Sequence, residues 1–333
     1  MAELVSVITP CYNTGKYIGQ LLESILGQTY GNIEMIAIDD GSTDNTADII
    51  KSYIPLFEKR GYSLNYEYQT NSGQSVAIQK ALDLMKGKYF VWPDSDDFYS
   101  SSKAIEEMVD ALEKLSDEYG MIRSAVSYVS DTPKHTLLGT SPAVRRDKSR
   151  LELFEDCLLY KNHFYYCAGA YLLKTDAFKK SSQLPIYTSQ KAGQNWQLLL
   201  PVLYHYKCHT IASNLYSIIM RAGSHSRIVD NYIQMKDRIF IYETTILETL
   251  ERIVGMSKEE TVEFARMVKI KYLYDLLDNA IVYHQRNEAE LYYRELRQYG
   301  RVRFSEWLYY VLFRRRAYKC AHYVKAISRR LER

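Results

Sequence analysis

Over the first hundred residues the apolar positions alternate between two periods. "ELVSVITP" is a short apolar run that predicts a buried strand, and "KYIGQLLESILGQ" then sets Ile18, Leu21, Leu22, Ile25 and Leu26 at helical spacing. "IEMIAIDD" predicts a second strand, and "GSTDNTADIIKSYI" turns through Gly41 into a helix that Asp44 can cap. The pattern repeats: "SLNYEYQT" is a strand, "GQSVAIQKALDLMK" a helix, "KYFVWPD" a strand and "SSKAIEEMVDALEKL" a helix with Ser102 as its cap. Strand–helix alternation at this spacing predicts an α/β fold whose mostly parallel central sheet is flanked by helices on both faces.

The pattern weakens past residue 120. "MIRSAVSYV" and "YYCAGAYLL" have strand character, and "NWQLLLPVLYHY" reads as a helix disturbed by Pro201. From Ile228 only helical spacing remains, with Ser257 and Glu260 at the spacing of a capping box. The expected division is an α/β domain over residues 1–227 and an all-helical C-terminal region over 228–333, as the length of 333 residues suits roughly two domains of ~150.

Composition narrows the compartment. Five cysteines, an odd number with no CxxC pair, argue against a disulfide scaffold or a zinc site and favour a reducing cytoplasm. No basic-then-apolar leader opens the chain, and no apolar run approaches the ~20 residues of a spanning helix. Tyrosine is frequent at 31 copies, against 3 Trp and 10 Phe, which is compatible with sugar, base or membrane-interface contacts. Net charge is +3, yet residues 301–333 hold ten Lys/Arg and two Glu, a local +8 that leaves −5 for the rest. Trp307, Tyr310, Val311, Tyr318, Ala321, Val324 and Ile327 line an apolar stripe beside those arginines. The tail therefore predicts docking on an anionic membrane surface. A packing helix with a solvated basic face is the plainer alternative, and no recognition fold for nucleic acid accompanies the charge. The expected location is cytoplasmic, peripheral on the inner face of the cell membrane.

In parallel α/β sheets ligands bind beyond the carboxyl ends of the strands. Those ends here read Thr9-Pro10-Cys11-Tyr12-Asn13, Asp39-Asp40-Gly41-Ser42, Asn71-Ser72-Gly73 and Asp94-Ser95-Asp96-Asp97. Carboxylates this close repel and resist burial unless partnered. If Asp94 and Asp96 sit at i and i+2 of one strand they converge on one point, where Mg²⁺ or Mn²⁺ and a phosphorylated ligand can neutralise them. Alone, a D-x-D triplet is more simply an acidic loop before a helix. Asp39 and Asp40 at a second strand end change the odds, since a carboxylate there can accept from a uracil N–H or a ribose hydroxyl. Tyr12 can stack on a base.

"VSVITPCYNTGKYIGQLLESILGQTYGNIEMIAIDDGSTDNT", followed by "NSGQSVA" and "WPDSDD", resembles family 2 glycosyltransferases of the GT-A fold, closely over residues 4 to about 100 and more loosely as far as "MRAGSHSR". The resemblance implies transfer of a sugar from a nucleotide donor, UDP in the first instance, with inversion at the anomeric carbon and help from Mn²⁺ or Mg²⁺. It implies a glycan or lipid-linked glycan acceptor in capsule, lipopolysaccharide or other surface-polysaccharide synthesis. Carried over, Pro10, Tyr12 and Asp40 hold the base, with Asp39 beside them. Asn71, Gly73 and Gln74 line the nucleotide pocket, Asp94 and Ser95 reach the ribose, and Asp96 takes the metal. Arg221 and Arg227 pair with phosphate, and His225 binds the metal or a phosphate oxygen.

Two departures stand out. Family members often have Ala-Arg-Asn where this chain has Ala77-Ile78-Gln79, so a basic contact is absent. The family's catalytic base often lies in a Glu-Asp pair opening a later helix, where this chain has Gln194-Asn195, and amides cannot act as a base. Glu155, Asp156, Asp176, His163 and His205 are other candidates, and no spacing singles one out. The expectation is an active transferase in which Gln194 and Asn195 position the acceptor. Its rival is a sugar-nucleotide-binding protein that has lost its base. A nucleotidyltransferase would carry a glycine-rich, basic loop after the first strand, whereas "TPCYNTGKY" has one glycine and one lysine.

Overall fold

In the computed structural model, which describes residues 2–141, 149–221, 231–300 and 302–315, the first apolar run becomes β1 (Val5–Cys11). It lies between two parallel neighbours and is buried on both faces from Val5 to Thr9. Burying each Val or Ile there contributes about 1.5–3 kcal/mol, which is why the run is apolar on both faces. The elements that follow are α1 (Ile18–Leu26), β2 (Ile33–Asp40), α2 (Thr46–Arg60), β3 (Ser63–Gln69), α3 (Gln74–Leu84) and β4 (Tyr89–Val91). Strands β3, β2, β1 and β4 are adjacent and parallel, with Cys11 opposite Asp39 and Asp40 opposite Gln69, so their carboxyl ends open on one edge.

The second half of the sheet is mixed. It comprises β5 (Phe98–Tyr99), β6 (Tyr119–Ser130), β7 (Leu137–Thr140), β8 (Tyr171–Lys174) and β9 (Lys207–Met220), joined by α4 (Ala104–Glu113), α5 (Arg150–Leu159), α6 (Thr175–Ser181) and α7 (Asn195–His205). The sheet order is β3-β2-β1-β4-β8-β6-β9-β5, with β7 paired to β6. β8 runs antiparallel to β4, and β9 parallel to β6.

Several local readings shift. "YYCAGAYLL" is a strand only from Tyr171, its Ala168–Ala170 stretch forming a 3₁₀ turn. Pro201 sits inside α7 without ending it. α4 begins after Lys103 with no side chain capping it, so Ser102 is not its cap. The N-cap of α2 is Asn45, without a side-chain cap, so Asp44 is not the cap; from one residue earlier its Oδ1 accepts from the Thr46 amide at 3.0 Å and its Oδ2 from the Gly15 amide at 2.9 Å.

Two units divide the chain. The first holds Met1–Ser224 with Glu248–Met256, and the second His225–Leu247 with Ser257–Arg333. In the second, α8 (Tyr232–Leu250), α9 (Lys258–Val282), α10 (Arg286–Gln298) and α11 (Phe304–Arg314) are the described helices. The Ser257–Glu260 capping box opens α9. Tyr293 on α10 stacks on Tyr310 of α11 at 4.0 Å, so Tyr310 of the anticipated apolar stripe is an inward packing residue. Of the same stripe Trp307 is exposed and Val311 half-buried, while Tyr318, Ala321, Val324 and Ile327 fall in residues 316–333, outside the described residues. No described helix is long and apolar enough to cross a membrane.

Candidate functional site

Four loops meet at the carboxyl edge of the parallel strands. The loop after β1 is pinned to the loop after β2: the Asn13 amide donates to Ser42 Oγ at 2.9 Å, and Asn13 Oδ1 accepts from the Thr43 amide at 2.8 Å. Just before this anchor Pro10 is half-buried, whereas Tyr12 leaves 44% of its surface exposed. An aromatic ring held by fixed flanks and open to solvent is suited to stacking.

Asp39 and Asp40 are both buried and differ in partners. Asp39 accepts from the Ser42 amide and from Tyr66 Oη, each at 2.8 Å. Asp40 accepts from Gln69 Nε2 and from the amides of Ser72 and Gly73, all at 2.8 Å. Asp40 thus shapes the Asn71–Gly73 loop, with Asn71 and Gln74 exposed on its surface. Glycine is required at two points, one in the loop after β2 and one in this loop. Gly41 has φ +81°, and a Cβ there would stand 2.7 Å from the Asn71 nitrogen. Gly73 has φ +97°, and its Cβ would stand 2.4 Å from the Gln190 carbonyl oxygen. Ser75 Oγ donates to the Ser189 carbonyl at 2.9 Å, bringing the 183–194 segment against α3. Gln79 belongs to the same contact, its Oε1 accepting from the Ile186 amide at 2.9 Å, while Ile78 is buried.

The acidic stretch after β4 is a turn: β4 ends at Val91, and the Asp97 amide donates to the Asp94 carbonyl at 3.2 Å. The expectation that Asp94 and Asp96 share one face of a strand therefore fails, because the strand stops short of them. Each acid has its own partner instead. Asp97 is buried and accepts from the Ile219 amide at 2.8 Å. Asp94 accepts from Gln194 Nε2 at 3.1 Å, and its amide donates to Tyr216 Oη at 3.2 Å. Gly169 makes room for the Tyr216 ring, since a Cβ would stand 2.2 Å from it. Asp96 pairs with Arg221 at 2.6 Å, and the same guanidinium lies 5.0 Å from the centre of the Tyr17 ring. Tyr17 Oη and Lys16 Nζ both donate to Asp131. Burial, then the charge of Asp96, pushes the Asp94 carboxyl up to about 7. Burial likewise holds Asp97 well above the usual carboxylate range. Ser95 is buried against the Cys11 thiol.

Gln194 and Asn195 open α7 beside these acids. Gln194 is buried, and its Oε1 has no hydrogen-bond partner among the described residues. Asn195 Oδ1 accepts from Trp92 Nε1 at 2.9 Å, and its Nδ2 donates to the Tyr166 carbonyl at 3.0 Å. Arg227 and His225 lie outside the described residues. Among the described residues no group of three His, Cys, Asp or Glu is placed to hold a metal ion. Asp96 alone fits a hard cation: Arg221 already marks that carboxylate as the place a positive charge is held. A nucleotide's phosphate oxygens would have to complete the coordination.

Sequence reading named most of these side chains. It missed Tyr66, Tyr17, Asp131, Tyr216, Trp92 and Tyr166, which act through partners distant in the chain and carry no local pattern.

A model of glycosyl transferase family 2 matches residues 6–181, just over half the chain. An uncharacterized glycosyltransferase of Rickettsia prowazekii is 36% identical over 150 residues, 45% of this chain and 44% of that one. Glycosyltransferase GlyG of Streptococcus pneumoniae is 40% identical over 112 residues, 34% of this chain and 35% of that one. Bacillus subtilis TuaG, named for teichuronic acid biosynthesis, is 33% identical over 156 residues, 46% of this chain and 60% of that one. The chain thus spans less than two thirds of the length of these relatives. Among solved structures, S. aureus TarS 1–349 in complex with UDP-GlcNAc superposes with a TM-score of 0.61 at 16% identity, covering 98% of this chain and 91% of that one. The mannosyltransferase PcManGT of Pyrobaculum calidifontis, in complex with GDP-Man and Mn²⁺, gives 0.52 at 15% identity over 98% and 88%. At such identities the likeness is one of fold, the GT-A fold. The matched stretch contains all four of the strand ends described above, and on that match the chain belongs to glycosyl transferase family 2.

Proposed function

We propose that this protein transfers a sugar from a nucleoside diphosphate sugar, with UDP as the first choice of nucleotide, to a hydroxyl of a surface glycan or its lipid-linked precursor. The observation that carries this reading is the meeting of Asp39, the Asp40-shaped Asn71–Gly73 loop, the Asp94–Asp97 turn and Arg221 at one sheet edge. Tyr12 stacks on the base, Asp39 and Asn71 face the base and ribose, and Asp94 reaches the ribose. Arg221 moves from Asp96 to the diphosphate, leaving Asp96 for Mn²⁺ or Mg²⁺. When bound, that ion neutralises charge developing on the departing diphosphate. TuaG, with its teichuronic acid name, supports a surface-polysaccharide setting.

Transfer by one displacement inverts the anomeric carbon. At the slot where a carboxylate is expected, the buried Gln194 Oε1 accepts a hydrogen bond from the acceptor hydroxyl and orients it, and the proton released as the new bond forms passes to water. The amide pair is also the specific feature favouring the second reading, a protein that binds sugar nucleotides without turnover. For location we propose the membrane surface: α11 exposes Phe304 and Trp307 beside exposed Arg303, Arg314 and Arg315.

Titration calorimetry with UDP and Mn²⁺ on Asp96→Ala tests the site. The variant is expected to fold and to lose metal-dependent UDP binding, and equal affinity in variant and parent would refute the assignment. UDP release from UDP-sugars on adding a glycan acceptor separates the transferase from the non-catalytic binder.

A further inference from the structure

Behind the amide pair a stack of aromatic rings runs from the core to the surface. Trp92 stacks on Tyr171 with centroids 6.0 Å apart, Tyr171 on Phe164 at 6.4 Å, and Phe164 is tilted against Tyr166 at 4.9 Å. Tyr166 in turn lies 5.1 Å from Trp196 and stacks on Tyr160 at 5.6 Å and 26°. Trp92, Tyr171 and Phe164 are buried, whereas Tyr160 at the outer end is 63% exposed.

The backbone at Tyr160 adds an independent observation. This residue closes α5 in the left-handed conformation, φ 53° and ψ 52°. Glycine suits that position, and a tyrosine there is strained. Burial does not explain the residue, because most of its ring is in solvent. A strained, exposed aromatic backed by a rigid stack points to a surface that the ring itself serves.

That surface adjoins the candidate site. Asn195 Nδ2 donates to the Tyr166 carbonyl at 3.0 Å, and the preceding residue, Gln194, donates to Asp94 at 3.1 Å. We infer that Tyr160, with Tyr166 and Trp196 behind it, is a platform for a pyranose ring of the acceptor glycan, an inference that rests on the transferase reading above. A pyranose presents an apolar C–H face and a rim of hydroxyls. A rigid tyrosine covers such a face at low entropic cost and leaves the rim free for polar contacts. The base-stacking role falls to Tyr12, which follows β1, so the two aromatics serve the two substrates separately.

Saturation-transfer NMR with methyl β-D-glucopyranoside, methyl β-D-galactopyranoside and methyl N-acetyl-β-D-glucosaminide on the full chain tests the platform without requiring turnover. The parent is expected to transfer saturation to the ring protons of at least one of them. Tyr160→Gly relieves the left-handed strain, so its unfolding midpoint should hold or rise while pyranoside affinity falls about three- to tenfold. Tyr160→Phe keeps the ring and should bind as the parent does. Absence of binding by the parent, parental affinity in Tyr160→Gly, or a lowered midpoint in that variant would each overturn the platform. A parent that binds pyranoside through Tyr160 yet releases no UDP from any UDP-sugar would instead sink the transferase reading and leave the platform standing.

Discussion

Asp94, Asp96 and Asp97 stand within four residues, and each is stabilised by a different part of the chain: the amide of Gln194, the guanidinium of Arg221 and the backbone of Ile219. Separate partners explain how the cluster persists at a half-buried turn, where three unpartnered carboxylates would be costly. Asn195 is the neighbouring residue whose task the fold redefines. Its side chain joins buried Trp92 to Tyr166, so it holds the wall of the site. Asn195→Ala leaves the Trp92 indole N–H without its acceptor and should cost about 1–3 kcal/mol of stability, read by chemical denaturation. Loosening the wall that Asn195 holds should also lower kcat/KM roughly tenfold. A thousandfold loss with donor affinity intact would mean that Asn195 takes part in the chemistry directly.

Among the elements, the junction of α3 with the 183–194 segment depends on one glycine. Gly73 adopts φ 97° and ψ 159°, a region closed to side chains, and lies against the Gln190 backbone. Gly73→Ala should lower stability by about 1–3 kcal/mol and weaken UDP binding, because the loop that Asp40 holds must shift. Parental UDP affinity in that variant would detach the loop from the nucleotide. In the helical unit, α8 and α10 meet at Glu288, which accepts from Lys236 at 2.7 Å and from Tyr292 at 2.9 Å, with Tyr232 Oη also on it. Partial burial pulls the Glu288 carboxyl upward, yet the hydrogen bonds from Lys236, Tyr232 and Tyr292 outweigh it and hold the pKa below the usual range. A depressed folded pKa means that the contribution is present above the unfolded value and is lost as pH falls through the folded one. Unfolding midpoints of the parent should therefore drop on acidification more steeply than those of Glu288→Gln, and parallel curves would show that Glu288 is not coupled to folding.

For the whole molecule, the unevenness of charge matters more than its total. Residues 301–333 sum to +8, and α11 within that stretch exposes Phe304 and Trp307, whose rings lie 5.5 Å apart. Aromatic anchors beside basic residues suit the headgroup region of an anionic bilayer, where each Lys or Arg contributes about 1 kcal/mol. Vesicles of mixed phosphatidylglycerol and phosphatidylcholine should sediment the protein at low salt and release it at high salt. Phe304→Asp with Trp307→Asp should abolish sedimentation. Equal sedimentation of parent and double variant would place the contact elsewhere.

Periodicity alone was enough for the alternation of strands and helices in the parallel half, because the interior strands β1, β2 and β4, buried on both faces, must be apolar and the helices covering them amphipathic. The acids at the strand ends were legible for the same reason: a parallel sheet puts every such end on one edge. The Ser257–Glu260 cap was equally local. Only the tertiary structure decided that β4 stops before Asp94, that Arg221 returns from the end of β9 to meet Asp96, and that Asn195 answers Trp92. These pairs lie roughly a hundred residues apart in sequence, and their contacts depend on how β8, β6 and β9 are ordered in the mixed half of the sheet. Hydrophobic period records which face of an element is buried; it holds no information on which distant element buries it.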